Sequence, residues 1–283
     1  MRNRAIAFFS TLVLSVPIWG QQALPPGAID SAPTRPGIQY GDSADALLDL
    51  WLVSTDGSSP IAIYFHGQGG DKDTIVDEPG LKSLLDAGIS IASVTTPGRG
   101  AEVRSHGKQA LRFLREHADE LSIDATRIAT FGRSMGAGVA MSLAFTDQAE
   151  LQAMRVKAVG TIRGQALDAR RWLDEISVWP ADVYEQMFGN STPSGEDRSV
   201  IEYLSADDPP LYMEYAMSPN DPPPDASTDP GLYRNWLIHH VEHGLLLKAR
   251  ADALGVEAYL NYPGEQSAFP NIASFLIDKL QSN

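Results

Sequence analysis

A serine held between two glycines, in Gly132-Arg-Ser-Met-Gly136, is the part of this sequence with the clearest chemical potential. A β-branched and aromatic run at 128–131 precedes it, and small residues at 137–145 follow it, which predicts a strand and then a helix. Gly-x-Ser-x-Gly at such a junction is typical of a nucleophile elbow. A Cβ at either glycine would collide with the neighbouring strand or helix. We therefore expect the Ser134 hydroxyl to stand exposed at the end of a strand.

A second loop with chemical potential follows the continuous apolar run at 61–65. It reads His66-Gly-Gln-Gly-Gly70. Glycines directly after a buried strand allow backbone N–H groups to point into a pocket, where they can bind an oxyanion. We expect this loop to lie beside the elbow.

The elements that position these loops alternate along the chain. Alternating strands and helices predict an α/β fold with a doubly wound, mostly parallel sheet, and 283 residues suffice for one large domain. We predict strands at 38–41, 47–53, 61–65, 89–94, 128–131, 156–162, 207–216 and 256–261, and helices at 81–87, 108–121, 137–145, 238–254 and 269–280. Residues 165–206 interrupt the alternation and carry Trp172, Trp179 and Phe188, so we predict a small helical lid there.

The N-terminus and the charge indicate where the protein works. Residues 1–20 combine a basic start with a short apolar run and predict a secretory signal peptide, followed by a flexible segment at 21–36 and the domain at 37–283. The sequence therefore predicts a secreted or periplasmic bacterial protein.

The net charge of −14 argues against nucleic acid and anionic membranes as partners. The chain has no cysteine, which excludes a disulfide framework.

Three stretches together carry a family resemblance. They are Tyr64-Phe-His-Gly-Gln-Gly-Gly-Asp-Lys72, the stretch from Ile123 through the elbow to Gly136, and Ser205-Ala-Asp-Asp-Pro-Pro210 before a predicted strand. With them the chain resembles the α/β-hydrolase superfamily, especially bacterial secreted esterases of the feruloyl- and acetyl-xylan-esterase type. The likeness runs from about Ile38 to the C-terminus.

The resemblance implies roles for particular residues. Ser134 becomes the nucleophile of a carboxylic ester hydrolase that works through an acyl-enzyme on a small-molecule or carbohydrate-linked ester. The oxyanion hole is formed by the N–H of Met135 and that of Gln68 or Gly69. The acid is expected in the loop after the strand that ends near 216. Asp221 is the best placed, with Asp225 and Asp229 behind it. No cofactor and no metal are implied.

The catalytic histidine departs from the family pattern. The loop that usually carries it reads Tyr262-Pro-Gly-Glu-Gln-Ser267, and no histidine follows His243. We predict His239 as a displaced base, with His240 as the runner-up, because both stand at the start of the helix predicted at 238–254. A helix N-terminus disfavours imidazolium and would keep such a base neutral.

Two alternatives stay open at this point. The chain could be a catalytically silent α/β-hydrolase-fold binding protein that kept the serine and lost the base. More remotely, His239, Glu242 and His243 fit the H-x-x-E-H pattern of a metal hydrolase, with the two histidines on one helical face.

Overall fold

One mixed sheet forms the centre of the molecule. The computed structural model describes residues 23–53, 58–98, 100–145, 155–166 and 199–282. The eight strands that these residues contribute to the sheet have the order β1-β2-β4-β3-β5-β6-β7-β8. β2 runs antiparallel to β1 and to β4, and all other neighbouring pairs are parallel. The strands are β1 (Arg35–Gln39), β2 (Leu47–Trp51), β3 (Ser59–Phe65), β4 (Ser90–Val94), β5 (Ile123–Arg133), β6 (Ala158–Ile162), β7 (Leu211–Glu214) and β8 (Ala258–Asn261).

Seven α-helices of the described ranges connect or flank these strands. They are α1 (Lys82–Asp86), α2 (Ala101–Glu116), α3 (Ala118–Leu121), α4 (Met135–Ala144), α5 (Pro230–His239), α6 (Glu242–Leu254) and α7 (Ile272–Gln281). None of the helices in the described ranges is long and apolar enough to cross a membrane.

The sheet has a hydrophobic core on each face. Every residue of β3 is buried. Because successive side chains of a strand point to opposite faces, Ile63 and Phe65 pack in one core, with α2, α4 and α6. Tyr64 packs in the other core, with α1 and α7. A strand buried on both faces requires a continuous apolar run, which is the pattern that the sequence shows.

The predicted fold class is confirmed, and two predicted helices are wrong in their bounds. The helix predicted at 108–121 is two helices, Ala101–Glu116 and Ala118–Leu121. A strand lies at each of the eight predicted places, although the one predicted at 207–216 is reduced to Leu211–Glu214. The helix predicted at 238–254 is two helices, because the chain is extended at His240 (φ −66°, ψ 145°). The first of them begins at Pro230, well before the predicted start at 238.

Two predicted segments lie outside the described residues. These are the signal peptide at 1–20 and residues 167–198 of the lid, including Trp172, Trp179 and Phe188. The segment predicted to be flexible is described from residue 23 onward, and part of it packs on the domain. Ile29 is buried, and the carbonyl of Ser31 accepts a hydrogen bond from the indole of Trp51.

Candidate active site

Ser134 occupies a strained turn between β5 and α4. Its backbone has φ 51° and ψ −116°, a conformation that costs a non-glycine residue of order 1–3 kcal/mol. A Cβ at Gly136 would overlap the carbonyl of Phe65, and a Cβ at Gly132 would overlap that of Gly136. The N–H of Ser134 donates to the carbonyl of Ile162, at the end of β6. The turn thus has the geometry expected of an elbow.

The glycine loop after β3 lies against this serine. A Cβ built on Gly67 would be 3.7 Å from the Cβ of Ser134. The loop is a tight turn in which Gly70 N–H donates to the Gly67 carbonyl, with φ 80° at Gly69. Within the described ranges, the N–H groups of Gln68 and Gly69 have no protein acceptor. Met135 is the first residue of α4, so its N–H lacks an acceptor in that helix.

His66 holds this loop in place. Its ring Nε2 accepts from the N–H of Thr96, so the proton is on Nδ1, which donates to the carbonyl of Gly67. The ring is buried, and burial lowers its pKa, so it stays neutral. His66 therefore fixes the turn that presents Gln68 and Gly69, and takes no part in proton transfer.

His239 lies within hydrogen-bond distance of the serine. Its Nε2 is 2.8 Å from Ser134 Oγ, and its Nδ1 is 2.9 Å from Oδ1 of Asn235. Since an amide oxygen can only accept, Nδ1 carries the proton and donates to Asn235. Nε2 then presents its lone pair to the Ser134 hydroxyl. Asn235 stands one helical turn before His239 on α5, and this spacing brings the two side chains together.

The charge state of His239 suits a base. Its pKa is lowered to about 4, mainly by burial and then by the positive charges of Arg163 and Arg133, while a hydrogen bond to the backbone of Asn235 opposes the shift. The imidazole is therefore neutral at pH 7. The reason we expected for this was wrong. His239 is the last residue of α5, and a helix C-terminus favours imidazolium.

Hydrogen bonds from side chains or to side chains fix both ends of α5. The side chain of Asp229 accepts from the N–H of Leu232, and Pro230 occupies the first turn. At the other end, the Gln165 amide donates to the carbonyl of Ile238 and to that of Arg163. Because Gln165 belongs to the loop after β6, it ties the histidine's helix to the strand whose last residue, Ile162, accepts the N–H of Ser134.

The neighbouring histidines have structural contacts instead. His240 is buried, its ring packs on Trp236 with centroids 4.6 Å apart, and its Nδ1 accepts from the N–H of Glu242 at the start of α6. His243 is fully buried, and its Nδ1 accepts from the N–H of Ala166. Burial lowers the pKa of both rings. Neither ring is hydrogen-bonded to Ser134.

The structure does not bring the expected acid to His239. Asp221 is exposed, and its carboxylate accepts from the N–H and the hydroxyl of Ser218. These bonds lower the pKa of Asp221. The two fallback residues also cap local backbone, Asp225 at Ser227 and Asp229 at Leu232. Asn235 occupies the position at Nδ1 where an acid was expected.

The loop after β8 is closed by local bonds. Ser267 N–H donates to Asn261 Oδ1, and its hydroxyl interacts with both backbone groups of Phe269. Asn261 in turn donates to the hydroxyl of Tyr212 and to the carbonyl of Phe269. Ser267 therefore stabilises its own loop and has no hydrogen bond to Ser134 or His239.

The metal alternative loses its geometric basis. The break at His240 separates His239 and His243 into different helices, and the Nε2 of His239 is bonded to the serine. In the described parts of the chain, no three His, Cys, Asp or Glu side chains converge on a point that could hold an ion.

Two residues near the serine were missed by the sequence analysis. A correct start for α5 at the Asp229-Pro230 pair would have pointed to Asn235, four residues before His239. Arg163 directly follows β6, and its positive charge acts on His239. A charged residue after a buried strand next to the elbow strand was the available signal.

Comparisons with known proteins agree with this fold. The BD-FAE family model matches residues 48–166, which include the glycine loop and the elbow. A truncated carbohydrate esterase from gut microbiota superposes with a TM-score of 0.64 at 18% identity, over 90% of this chain and 100% of that one. This chain has the α/β-hydrolase fold. The resemblance predicted from the sequence is confirmed.

Two further solved structures are similar to this chain. One is the acetyl ester-xyloside bifunctional hydrolase from Caldicellulosiruptor lactoaceticus, with a TM-score of 0.58 and 17% identity over 88% of this chain and 90% of that one. The other is esterase 2 of Thermogutta terrifontis phosphonylated by sarin, with a TM-score of 0.65 and 16% identity over 88% of this chain and 93% of that one. A comparison with curated proteins found no match.

Proposed function

We propose that this chain is a serine hydrolase of carboxylic esters that uses Ser134 as nucleophile and His239 as base. The observation that carries the proposal is the 2.8 Å hydrogen bond between Ser134 Oγ and His239 Nε2 at a strained turn. A serine needs an adjacent proton acceptor to attack at neutral pH, and a neutral imidazole supplies one. The esterases among the similar structures support the same reaction class.

The proposed reaction has two steps. Ser134 Oγ attacks the ester carbonyl while Nε2 of His239 takes the hydroxyl proton, and the resulting imidazolium returns that proton to the departing alcohol. Water then attacks the acyl-enzyme with His239 again acting as base, which releases the acid and restores the serine. Asn235 keeps the proton on Nδ1 and thereby leaves Nε2 free to accept.

Backbone N–H groups stabilise the oxyanion in both steps of this proposal. The N–H of Met135 and that of Gln68 or Gly69 are available beside Ser134. A helix N-terminus adds a partial positive charge at Met135. Loss of one such donor costs about 10²–10³ in kcat in related chemistry.

The test is a burst experiment with p-nitrophenyl acetate. We expect a rapid release of p-nitrophenol equal to the enzyme concentration, and an acetyl adduct that peptide mapping assigns to Ser134. Ser134→Ala should abolish both. His117→Ala, at a half-buried histidine that ends α2 and bonds to Glu120, is the matched control and should change neither. A wild-type protein without a burst or adduct would favour the silent binding protein.

The finer substrate assignment is also a proposal. We propose a small or carbohydrate-linked ester, because two similar structures are a carbohydrate esterase and an acetyl ester-xyloside bifunctional hydrolase. Rates on acetylated xylo-oligosaccharides and on free p-nitrophenyl acetate test this. A carbohydrate-linked substrate predicts the higher kcat/KM for the oligosaccharide.

We further propose that the protein is exported after cleavage of residues 1–20. The basic start and short apolar run of that segment support this reading. N-terminal sequencing of protein from the periplasm or medium of an expressing bacterium should begin near Gln21. Full-length protein found only in the cytoplasm would contradict the proposal.

A further inference from the structure

Arg163 stands on a fixed backbone next to the nucleophile. It follows Ile162, whose carbonyl accepts the N–H of Ser134, and its own N–H donates to the carbonyl of Glu214 in β7. Its φ is 55°, in the left-handed region that costs a non-glycine residue about 1–2 kcal/mol. Such a conformation persists only where its surroundings impose it. The side chain therefore starts from a well-defined point at the carboxyl end of β6, beside the turn that holds Ser134.

Among the described residues, none forms a hydrogen bond or an ion pair with the guanidinium of Arg163. Its side chain is half-buried. Arg133 differs, because its guanidinium forms a bidentate ion pair with Glu78, whose carboxylate also accepts from Tyr64. A half-buried cation without a partner retains the desolvation cost that a bound anion would offset.

The nearest acids are already engaged. Glu78 is bonded to Arg133 and Tyr64, and the carboxyl of Glu214 accepts from the hydroxyl of Tyr212. Burial raises the pKa of Glu214, which weakens it as a counter-ion. At the same time Arg163 exerts the larger of the two positive-charge effects on His239. An anion that neutralises Arg163 would thus act on the same histidine that bonds to Ser134.

We propose that Arg163 binds a carboxylate carried by the ester substrate, so that the preferred substrates are anionic esters. This rests on the proposed function. A planar guanidinium matches a carboxylate with two parallel hydrogen bonds, which gives geometry as well as affinity. The net charge of −14 does not prevent such recognition, because at physiological salt charges further than about 8 Å away are largely screened.

Paired esters test the proposal on the acyl and on the alcohol side. Mono-p-nitrophenyl glutarate is compared with p-nitrophenyl pentanoate, and 4-acetoxybenzoate with 4-acetoxybenzamide. For each pair, the anionic-to-neutral ratio of kcat/KM is measured in wild type and in Arg163→Gln. Dividing one ratio by the other cancels the intrinsic reactivity of the esters. We expect the ratio to fall about 10- to 100-fold in one pair, the worth of a hydrogen-bonded charge.

Controls separate binding from folding. Arg250→Gln removes an exposed arginine on α6 and should leave both ratios at wild-type values. Arg163→Lys keeps the charge but loses the planar group that donates two parallel hydrogen bonds. Its anionic-to-neutral ratio should therefore lie between those of wild type and Arg163→Gln. If Arg163→Gln does not fold, inhibition of wild-type p-nitrophenyl acetate hydrolysis by benzoate and benzamide decides. Benzoate should bind at least about ten-fold more tightly than benzamide.

The failures are distinguishable. If the neutral esters turn over, and Arg163→Gln lowers kcat/KM by the same factor for both esters of each pair, the anion site alone is overturned. Equal inhibition by benzoate and benzamide also overturns the anion site alone. A wild-type protein that hydrolyses none of the four esters and forms no adduct at Ser134 overturns the proposed function and the anion site together.

Discussion

Two loops of this fold could hold a catalytic base, and they have opposite character. The loop after β8, where the resemblance places the histidine, carries Ser267 in a closed set of local bonds. The junction of α5 and α6 carries His239 with its Nε2 on Ser134. The first loop follows β8, and the second region comes after β7 and α5. The carboxyl ends of β7 and β8 lie at the same end of the parallel sheet as the elbow after β5. The comparison teaches that a parallel sheet gathers several loops around one nucleophile, so the base can come from another loop than usual.

The largest difference between the two loops should be in turnover. His239→Ala should lower kcat by roughly 10⁴-fold or more, because the proton acceptor is lost. Ser267→Ala should stay within about two-fold, because its hydroxyl bonds only within its own loop. Steady-state hydrolysis of p-nitrophenyl acetate measures both. If Ser267→Ala is the more damaging change, the base has been assigned to the wrong loop.

A smaller effect is expected at the residue that orients the base. Asn235→Ala should lower kcat about ten-fold or more, since it removes a hydrogen bond of about 1.5–3 kcal/mol to a ring that becomes charged. Asn235→Asp keeps an acceptor and adds a negative charge, so it should retain activity and raise the pKa of His239. The kcat of both variants and the pH profile of the aspartate variant check this. Equal loss in both would show a packing role.

The pH profile should reflect the environment of His239. Its pKa of about 4 predicts that kcat/KM for a neutral ester stays constant from neutral pH to about pH 5 and falls below that, as the base becomes protonated. Arg163→Gln should move the acid limb to higher pH, because it removes the larger of the two cationic effects. A limb near pH 6.5 in wild type would mean that the ring is exposed to solvent.

The smallest expected effect is on stability. Ser134→Gly should raise the free energy of unfolding by about 1 kcal/mol, because glycine adopts a positive φ without strain. Ser267→Ala should lower it by about 1 kcal/mol, the net worth of a side-chain hydrogen bond. Urea denaturation at pH 7 measures both. Destabilisation by Ser134→Gly would mean that the turn stores no strain.

The parts of the site that depend on local sequence could be predicted. Gly132 and Gly136 specify the turn at Ser134, because a Cβ at either position would overlap backbone carbonyls. The continuous apolar run of β3 likewise predicted a strand buried on both faces. In these cases the residues that indicate the structure are neighbours in the chain, although the contact that requires glycine at 136 is with Phe65 of β3.

The parts that depend on tertiary contacts could be predicted only in outline. The sequence pointed to His239 by elimination, but placed it at the start of a helix, although it ends one. No proline or glycine marks the break at His240, which packing on Trp236 and the cap at Glu242 stabilise. Asn235 was missed for the same reason, because its role depends on where α5 begins and ends.

The central claim is that His239 activates Ser134, and the rate of phosphonylation by a fluorophosphonate tests it most directly. The reagent needs an activated serine and no substrate-binding groups, so the rate isolates the hydroxyl–imidazole pair. Intact-protein mass spectrometry follows the adduct in wild type, His239→Ala and Ser267→Ala. We predict that wild type and Ser267→Ala react at the same rate, and that His239→Ala reacts at least about 10³-fold more slowly. Labelling of His239→Ala at the wild-type rate would contradict the account.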